Sequence, residues 1–419
     1  MSDRTASSVG WRDPGVLAAG GLALLAGLAQ YGVTAVLAAV AEAFGEEPPA
    51  DGVAAEVGMA VTTLGIGLAI VRLASAGSLP VAGLADRHGR RRLVLACLAL
   101  GLLLTAAAAF APTFWVFVAL VALARPLLTG TNAIAAVIAA EETSSGSRAA
   151  AIALVGAAYA LGSGVVAVVR GATTDALGFR GVLLLVLVPL ALLPLLRRLM
   201  REPPRFVAAR RGQPRRRLGA IPRPFVGRVV VLCVLTASVS LVFGPVLTYL
   251  FVYGEGVLGR SPGAMALLVV AAAPAGLAGL LVGRFGADRI SRRGTAAVSM
   301  VVLGGGGLLA YQAGFGALVA GYLTVIAAGA AYTPSGGALD AELVPTSIRA
   351  TAAGWLAASG VLGSVVGLAV FGVLADVLGT FAEAALVVSL PALVLPVLYA
   401  LLPETRGLEL EESAPEPGM

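Results

Sequence analysis

The chain is a succession of apolar runs, most of them close to the length of a membrane-crossing helix, separated by short segments in which arginine is the dominant charge. A helix needs about 20 apolar residues to cross the hydrocarbon core of a bilayer. In that medium the backbone must also satisfy its own hydrogen bonds. Twelve such runs are legible, at about 16–40, 54–82, 93–111, 114–140, 149–169, 181–196, 229–251, 263–283, 295–313, 316–339, 350–374 and 382–402. The composition agrees: 58% of residues are hydrophobic, 12% are charged, and the mean hydropathy is +0.94. A soluble domain carries about a quarter charged residues. The 54 glycines suit close helix approach in lipid, where no hydrophobic drive brings helices together. The expected fold class is an all-α membrane protein of twelve transmembrane helices.

Arginine supplies all 29 basic residues and sets the sidedness. Basic residues concentrate in cytoplasmic loops. Arg170, Arg180 and Arg260 fall in the alternate loops, Arg72 and Arg125 fall inside runs, and the other 24 of 29 lie on the side that holds both termini. A multi-pass protein of a cell (inner) membrane with both termini cytoplasmic is therefore expected. The formal charge of +6 follows from this sidedness and does not call for a nucleic-acid partner. Residues 1–13 lack a signal-peptide pattern. Cys97 and Cys233 sit in apolar runs and read as small hydrophobes. With His88 as the single histidine, no zinc spacing and no Ser-His-Asp set can be drawn. No metal, no cofactor and no enzymatic activity are expected.

The halves of the chain repeat. Asp86-Arg87-His88-Gly89-Arg90-Arg91 is echoed by Asp288-Arg289-Ile290-Ser291-Arg292-Arg293, an offset of 202. Glu141, with Glu142 beside it, and Arg148 are echoed by Glu342 and Arg349 at an offset of 201, as is Arg205 by Arg406. Two pseudo-symmetric six-helix bundles are expected, 1–200 and 227–403, with an Arg-rich cytoplasmic linker at 201–226 and an acidic tail at 404–419. Parallel repeats of this kind place a solute site near the bilayer midplane and work by alternating access. The arginines of 197–228 read as a solvated positive-inside linker or as a binder of anionic lipid headgroups.

Gly83–Arg92, reading G-L-A-D-R-H-G-R-R-R, resembles the signature loop of the major facilitator superfamily between its second and third helices. Gly83, Asp86, Arg87, Gly89, Arg90 and Arg91 carry the likeness. Glu342-Leu-Val-Pro345 with Arg349 is similar to the family's E-x-x-P-x-x-x-R loop, and Glu142 with Arg148 occupies the matching place in the first half. Arg201-Glu-Pro-Pro-Arg205 and Pro403-Glu-Thr-Arg-Gly407 resemble loop elements of its sugar-porter and metabolite–proton symporter branches. The resemblance implies that these residues, with Asp288 and Arg289, are cytoplasmic gate contacts, with the stronger contact in the first half. Phe285 and Ser291 stand where the second-half copy should have glycines. It also implies a lipid-embedded monomer that carries a small molecule, with protons as the coupling ion.

Polar residues inside the runs are the candidate solute contacts. A charge at mid-membrane costs a few kcal/mol on insertion scales, about 2.5–3.5, so Arg72 and Arg125 each need a cavity or a partner. Arg125, Thr129 and Asn132 share a helix face, and Gln30 and Thr34 share another with Tyr31 beside them. Tyr249, Tyr322 and Tyr332 complete the set, because the family lines its cavity with spans one, four, seven and ten. Arg125 also resembles the arginine of the family's fourth-span R-x-x-x-G motif, with the glycine one place late at Gly130. It either serves substrate or coupling, or it is paired structurally. No carboxylate lies at mid-membrane, Glu56 and Asp340 being the nearest. Two arginines without an acid favour an anionic substrate. The reading is a secondary transporter of a small organic solute, an organic anion or metabolite, coupled to protons. Export of a drug or secondary metabolite is the alternative, although span five has Gly156, Gly162 and Gly164 without the proline of the drug-antiporter branch. A non-transporting sensor is a third reading.

Overall fold

In lipid, runs of this length leave the backbone little choice but helix, and helices are what the chain forms. The computed structural model describes residues 13–45, 52–81, 84, 89–143, 148–200, 221–312, 314–345, 348–408 and 413–414, and no strand occurs among them. Twelve helices among the described residues are long and apolar enough to cross a membrane. They are α1 (Pro14–Ala35), α2 (Val61–Val81), α3 (Arg90–Phe110), α4 (Phe114–Ala140), α5 (Ala151–Thr173) and α6 (Leu177–Leu199), then α7 (Arg223–Thr248), α8 (Pro262–Arg289), α9 (Arg292–Ala310), α10 (Phe315–Glu342), α11 (Thr351–Leu378) and α12 (Phe381–Leu401).

Short polar side chains start several of them. Asp13 accepts from the Gly15 N–H at 2.8 Å, Ser291 from Gly294 at 2.8 Å, and Thr113 and Thr380 cap α4 and α12 in the same way. Each satisfies a donor that the first helical turn cannot. Two boundaries differ from the sequence expectation. The first helix stops at Ala35, and the chain continues as a separate helix, Leu37–Phe44. The second span begins at Val61 rather than near 54, because a short helix, Val53–Val57, ends at Gly58 in the left-handed conformation. The apolar character runs on across both breaks, so hydropathy alone merged the pieces.

By contact, the chain resolves into two units: Met1–Val40, Ile70–Arg215 and Ser261–Ala266 form the first, and Ala41–Ala69, Arg216–Arg260 and Leu267–Met419 form the second. The Arg-rich linker expected at 201–226 lies outside the described residues over 201–220. Inside each unit the helices pack in the same order. α1 lies on α5, α3 on α4 and α4 on α5 in the first; α7 lies on α11, α9 on α10 and α10 on α11 in the second. Gly162 of α5 sits against the Leu24 carbonyl of α1, where any Cβ would collide with it. Gly363 of α11, 201 residues on, sits in the same way against the Ala237 carbonyl of α7. Contact this close between helix backbones requires glycine. The core of the first unit is aliphatic, built from residues such as Leu22, Leu98, Leu102, Leu128 and Ile138. The second unit adds an aromatic knot of Tyr249, Tyr253, Tyr311, Phe371 and Phe381, with ring centroids 4.8–6.1 Å apart.

Candidate functional site

The first unit gathers polar side chains among its apolar helices. α1 supplies Gln30 and Tyr31, α2 Arg72, α4 Arg125, Thr129 and Asn132, and α5 Tyr159. Gln30 is 5% exposed, and its Oε1 accepts from the Thr129 hydroxyl at 3.3 Å, tying α1 to α4. The Arg72 and Arg125 guanidinium groups are close enough to repel one another, with the Tyr159 ring near Arg72. Arg125 Nε and Asn132 Oδ1 are buried without a hydrogen-bond partner. The ion pairs Arg284–Asp288 and Arg292–Glu342 lie in the second unit and involve neither Arg72 nor Arg125. Two guanidiniums without a carboxylate present forked N–H donors of the kind that hold a carboxylate or phosphate in bidentate fashion.

The tyrosines of the second unit divide. Tyr249 is fully buried; its ring stacks on Phe371 at 4.8 Å, and its hydroxyl donates to the Leu368 carbonyl at 3.1 Å. It serves the aromatic knot in this conformation. Tyr332 Oη accepts from the Tyr399 hydroxyl at 3.0 Å, and Tyr322 is buried on α10. Asp340 is half-buried two residues before the end of α10.

Two carboxylate arrangements in the second unit were not legible in advance. Asp376 of α11 accepts from the backbone N–H groups of Val61 and Thr62, at 3.0 and 2.7 Å, and so caps the first turn of α2. A carboxylate at a helix N-terminus satisfies orphan donors and meets the positive end of the helix dipole. Nearby, the backbones of Gly65 and Gly372 touch. The second arrangement centres on Glu404, which accepts from the Ser291 hydroxyl and from the backbone N–H of Arg292 at 3.1 Å, at the start of α9. Partial burial pushes the Glu404 carboxyl up. The bonds from Ser291 and from the N–H groups of Arg406, Arg292 and Arg293 outweigh that and hold it below its ordinary value.

Around Glu404, Arg292 forms an ion pair with Glu342, whose side chains are 20% and 16% exposed, and Arg293 donates to the Leu402 carbonyl at 2.9 Å. Arg406 donates to the Arg289 carbonyl, and Arg349 to the Ala341 carbonyl at 2.8 Å. Glu342 thus takes Arg292 as its charged partner. Asp288 pairs with Arg284 on its own helix, at 3.8 Å and largely in solvent. In the first unit, Gly89 starts α3 at φ 100°, a conformation that favours glycine. Arg90 is partly buried, and Arg91 donates to the Arg197 carbonyl. Glu142 lies against Gly15 in the first turn of α1. Gly83, Asp86, Arg87 and the side chain of Arg148 lie outside the described residues, as does the 201–205 element.

The sequence profile of the Major Facilitator Superfamily matches residues 19–286 and 259–417. The chain belongs to that superfamily. Major Facilitator Superfamily structures share its fold at low sequence identity. A D-xylose–proton symporter superposes with a TM-score of 0.74 at 17% identity, covering 94% of this chain and 98% of the symporter. A bacterial homologue of the human lysosomal transporter Spinster, inward-facing and unoccupied, gives 0.69 at 15% identity, covering 92% and 95%. The human organic anion transporter MFSD10 gives 0.61 at 17%, covering 92% and 99%. No curated protein matches the chain in sequence. The family and fold are those of transporters rather than of enzymes, and the twelve apolar helices are those of a multi-pass membrane protein.

Proposed function

We propose that this chain is a secondary active transporter for a small organic anion, held in the first unit by Arg125 and Arg72. One observation carries the reading: among the described residues, two neighbouring guanidiniums inside membrane-spanning helices have no ion pair, and Arg125 Nε is buried without a partner. An uncompensated charge at mid-membrane is expensive, and a carboxylate or phosphate on the solute supplies the missing partner. Gln30, Tyr31 and Asn132 add neutral donors and acceptors around it. Tyr322 and Tyr332 are the solute contacts proposed for the second unit. Protons are the proposed coupling ion, with Asp340, a half-buried carboxylate outside the observed ion pairs, as the group that carries them. The protein acts as a monomer in a cell membrane, with both termini cytoplasmic, as the arginine distribution favours.

The test is thermal stability of the purified protein against organic anions, neutral sugars and lipophilic cations, followed by uptake of any stabilising solute into proteoliposomes with and without a pH gradient. Bound ligand raises apparent stability by mass action. Stabilisation by one anion class, lost in Arg125→Gln, is expected. Stabilisation confined to lipophilic cations and retained in Arg125→Gln would replace this reading with drug export.

A further inference from the structure

A hollow in the first unit plays no part in the arginine site above. It has a volume of about 530 Å³ and lies between the start of α3 and the end of α6. Arg91, Arg197 and Arg198 line its polar end; Leu95, Leu193 and Pro194 line its apolar end. Its shape follows from the local sequence. Pro189 and Pro194 cannot donate backbone hydrogen bonds, and a proline ring crowds the carbonyl four residues earlier. The helix is accordingly interrupted between Leu190 and Leu193, where Ala191 and Leu192 bond three residues back, at 3.1 and 2.9 Å. Leu190, opposite the Pro194 ring, lines the gap this opens.

The order of residue types along the two walls identifies the occupant. On α6, Leu193 and Arg197 fall at i and i+4 on one helix face, with Leu190 just before the interruption. On α3, Arg91 and Leu95 fall at i and i+4. Each wall therefore sets a guanidinium at the helix end and a leucine about 6 Å deeper, at 1.5 Å per residue. A free phosphate would match only the polar end, and an apolar solute only the other. We infer that the hollow between α3 and α6 binds an anionic phospholipid, its phosphate on Arg197 and Arg198 beside Arg91 and its acyl chain against Leu95, Leu190 and Leu193. The lipid belongs to the leaflet that the arginine-rich segments face. The inference does not depend on what the protein carries.

The experiment uses the full chain in neutral detergent with added dioleoyl phosphatidylglycerol, dioleoyl phosphatidylcholine or inorganic phosphate, read by native mass spectrometry and by thermal melting. Phosphatidylglycerol is expected to stay bound and raise the melting temperature, while the other two do neither. Arg197→Gln/Arg198→Gln should weaken phosphatidylglycerol retention about fivefold per arginine removed. Arg197→Lys/Arg198→Lys should recover most of it, which separates loss of charge from loss of fold. Arg215→Gln/Arg216→Gln/Arg217→Gln, in the linker, should leave it unchanged. Equal retention by the Gln variant, retention lost only in the linker variant, or equal stabilisation by inorganic phosphate or phosphatidylcholine would each overturn the inference.

Discussion

The two units treat their buried polar groups in opposite ways. In the first, Arg125 Nε and Asn132 Oδ1 are buried and unpartnered, and two like charges lie close enough to repel one another. In the second, Tyr249, Tyr253 and Tyr311 each donate to a backbone carbonyl, while Asp376 and Glu404 are committed to helix N-termini. A repeat that conserves helix order thus does not conserve how polarity is disposed within it. The first unit leaves a charged donor unsatisfied among its membrane-spanning helices; in the second the orphaned group is a neutral hydroxyl, Thr405 Oγ1, beside Glu404 at the end of the bundle.

The sharpest way to break this contrast is to cut into the second unit. Phe371→Ala removes the ring on which Tyr249 stacks and should lower stability by about 3–5 kcal/mol, the cost of an aromatic cavity, seen as a large drop in melting temperature. Arg125→Gln should have the opposite profile. Solute binding weakens by about 1.5–3 kcal/mol, the worth of hydrogen bonds to a charged group. The empty protein should melt no lower than the wild type, because an unpaired charge has gone. A lower melting temperature for empty Arg125→Gln would show the guanidinium to be structurally paired.

Asp376→Asn keeps one acceptor oxygen at the start of α2 and loses the charge, so a stability loss of about 1 kcal/mol is expected by denaturant or thermal titration. For Glu404 the sign follows from its depressed folded-state value. Its stabilisation is complete above the ordinary glutamate range and is lost as pH falls through the lowered value. Melting temperature should decline on that acid limb in the wild type and decline less in Glu404→Gln. The smallest effect belongs to Asp288→Asn. That carboxylate meets only a solvent-exposed Arg284, so the change should stay within a few tenths of a kcal/mol, about 0.5 or less.

The twelve spans and the 201-residue offset were legible because both are periodic, and because hydropathy and charge are carried by residue identity alone. Arg72 and Arg125 were legible for the same reason: a charge in an apolar run stands out. Tyr249 looked like a cavity hydroxyl on the same logic. A tyrosine has two faces to its chemistry, however, and only its neighbours Phe371 and Leu368 decide which is used. Asp376 escaped notice because the donors it serves are more than 300 positions away in the chain. Tyr159 was missed because its position by Arg72 depends on how α5 lies on α1. Glu404 was singled out as part of a loop likeness, but its grip on the start of α9 could not be read from the loop.

Gly162 and Gly363 have a mechanical consequence. Where one helix rests on another's carbonyls with no side chain between, there is no compliant layer to shear, so α1 with α5, and α7 with α11, should each move as a single strut. Spin labels placed across either pair would then report one narrow distance whatever state the protein visits. They would be an internal ruler for any larger motion. A broadened distribution across α1–α5 would mean that the strut itself bends.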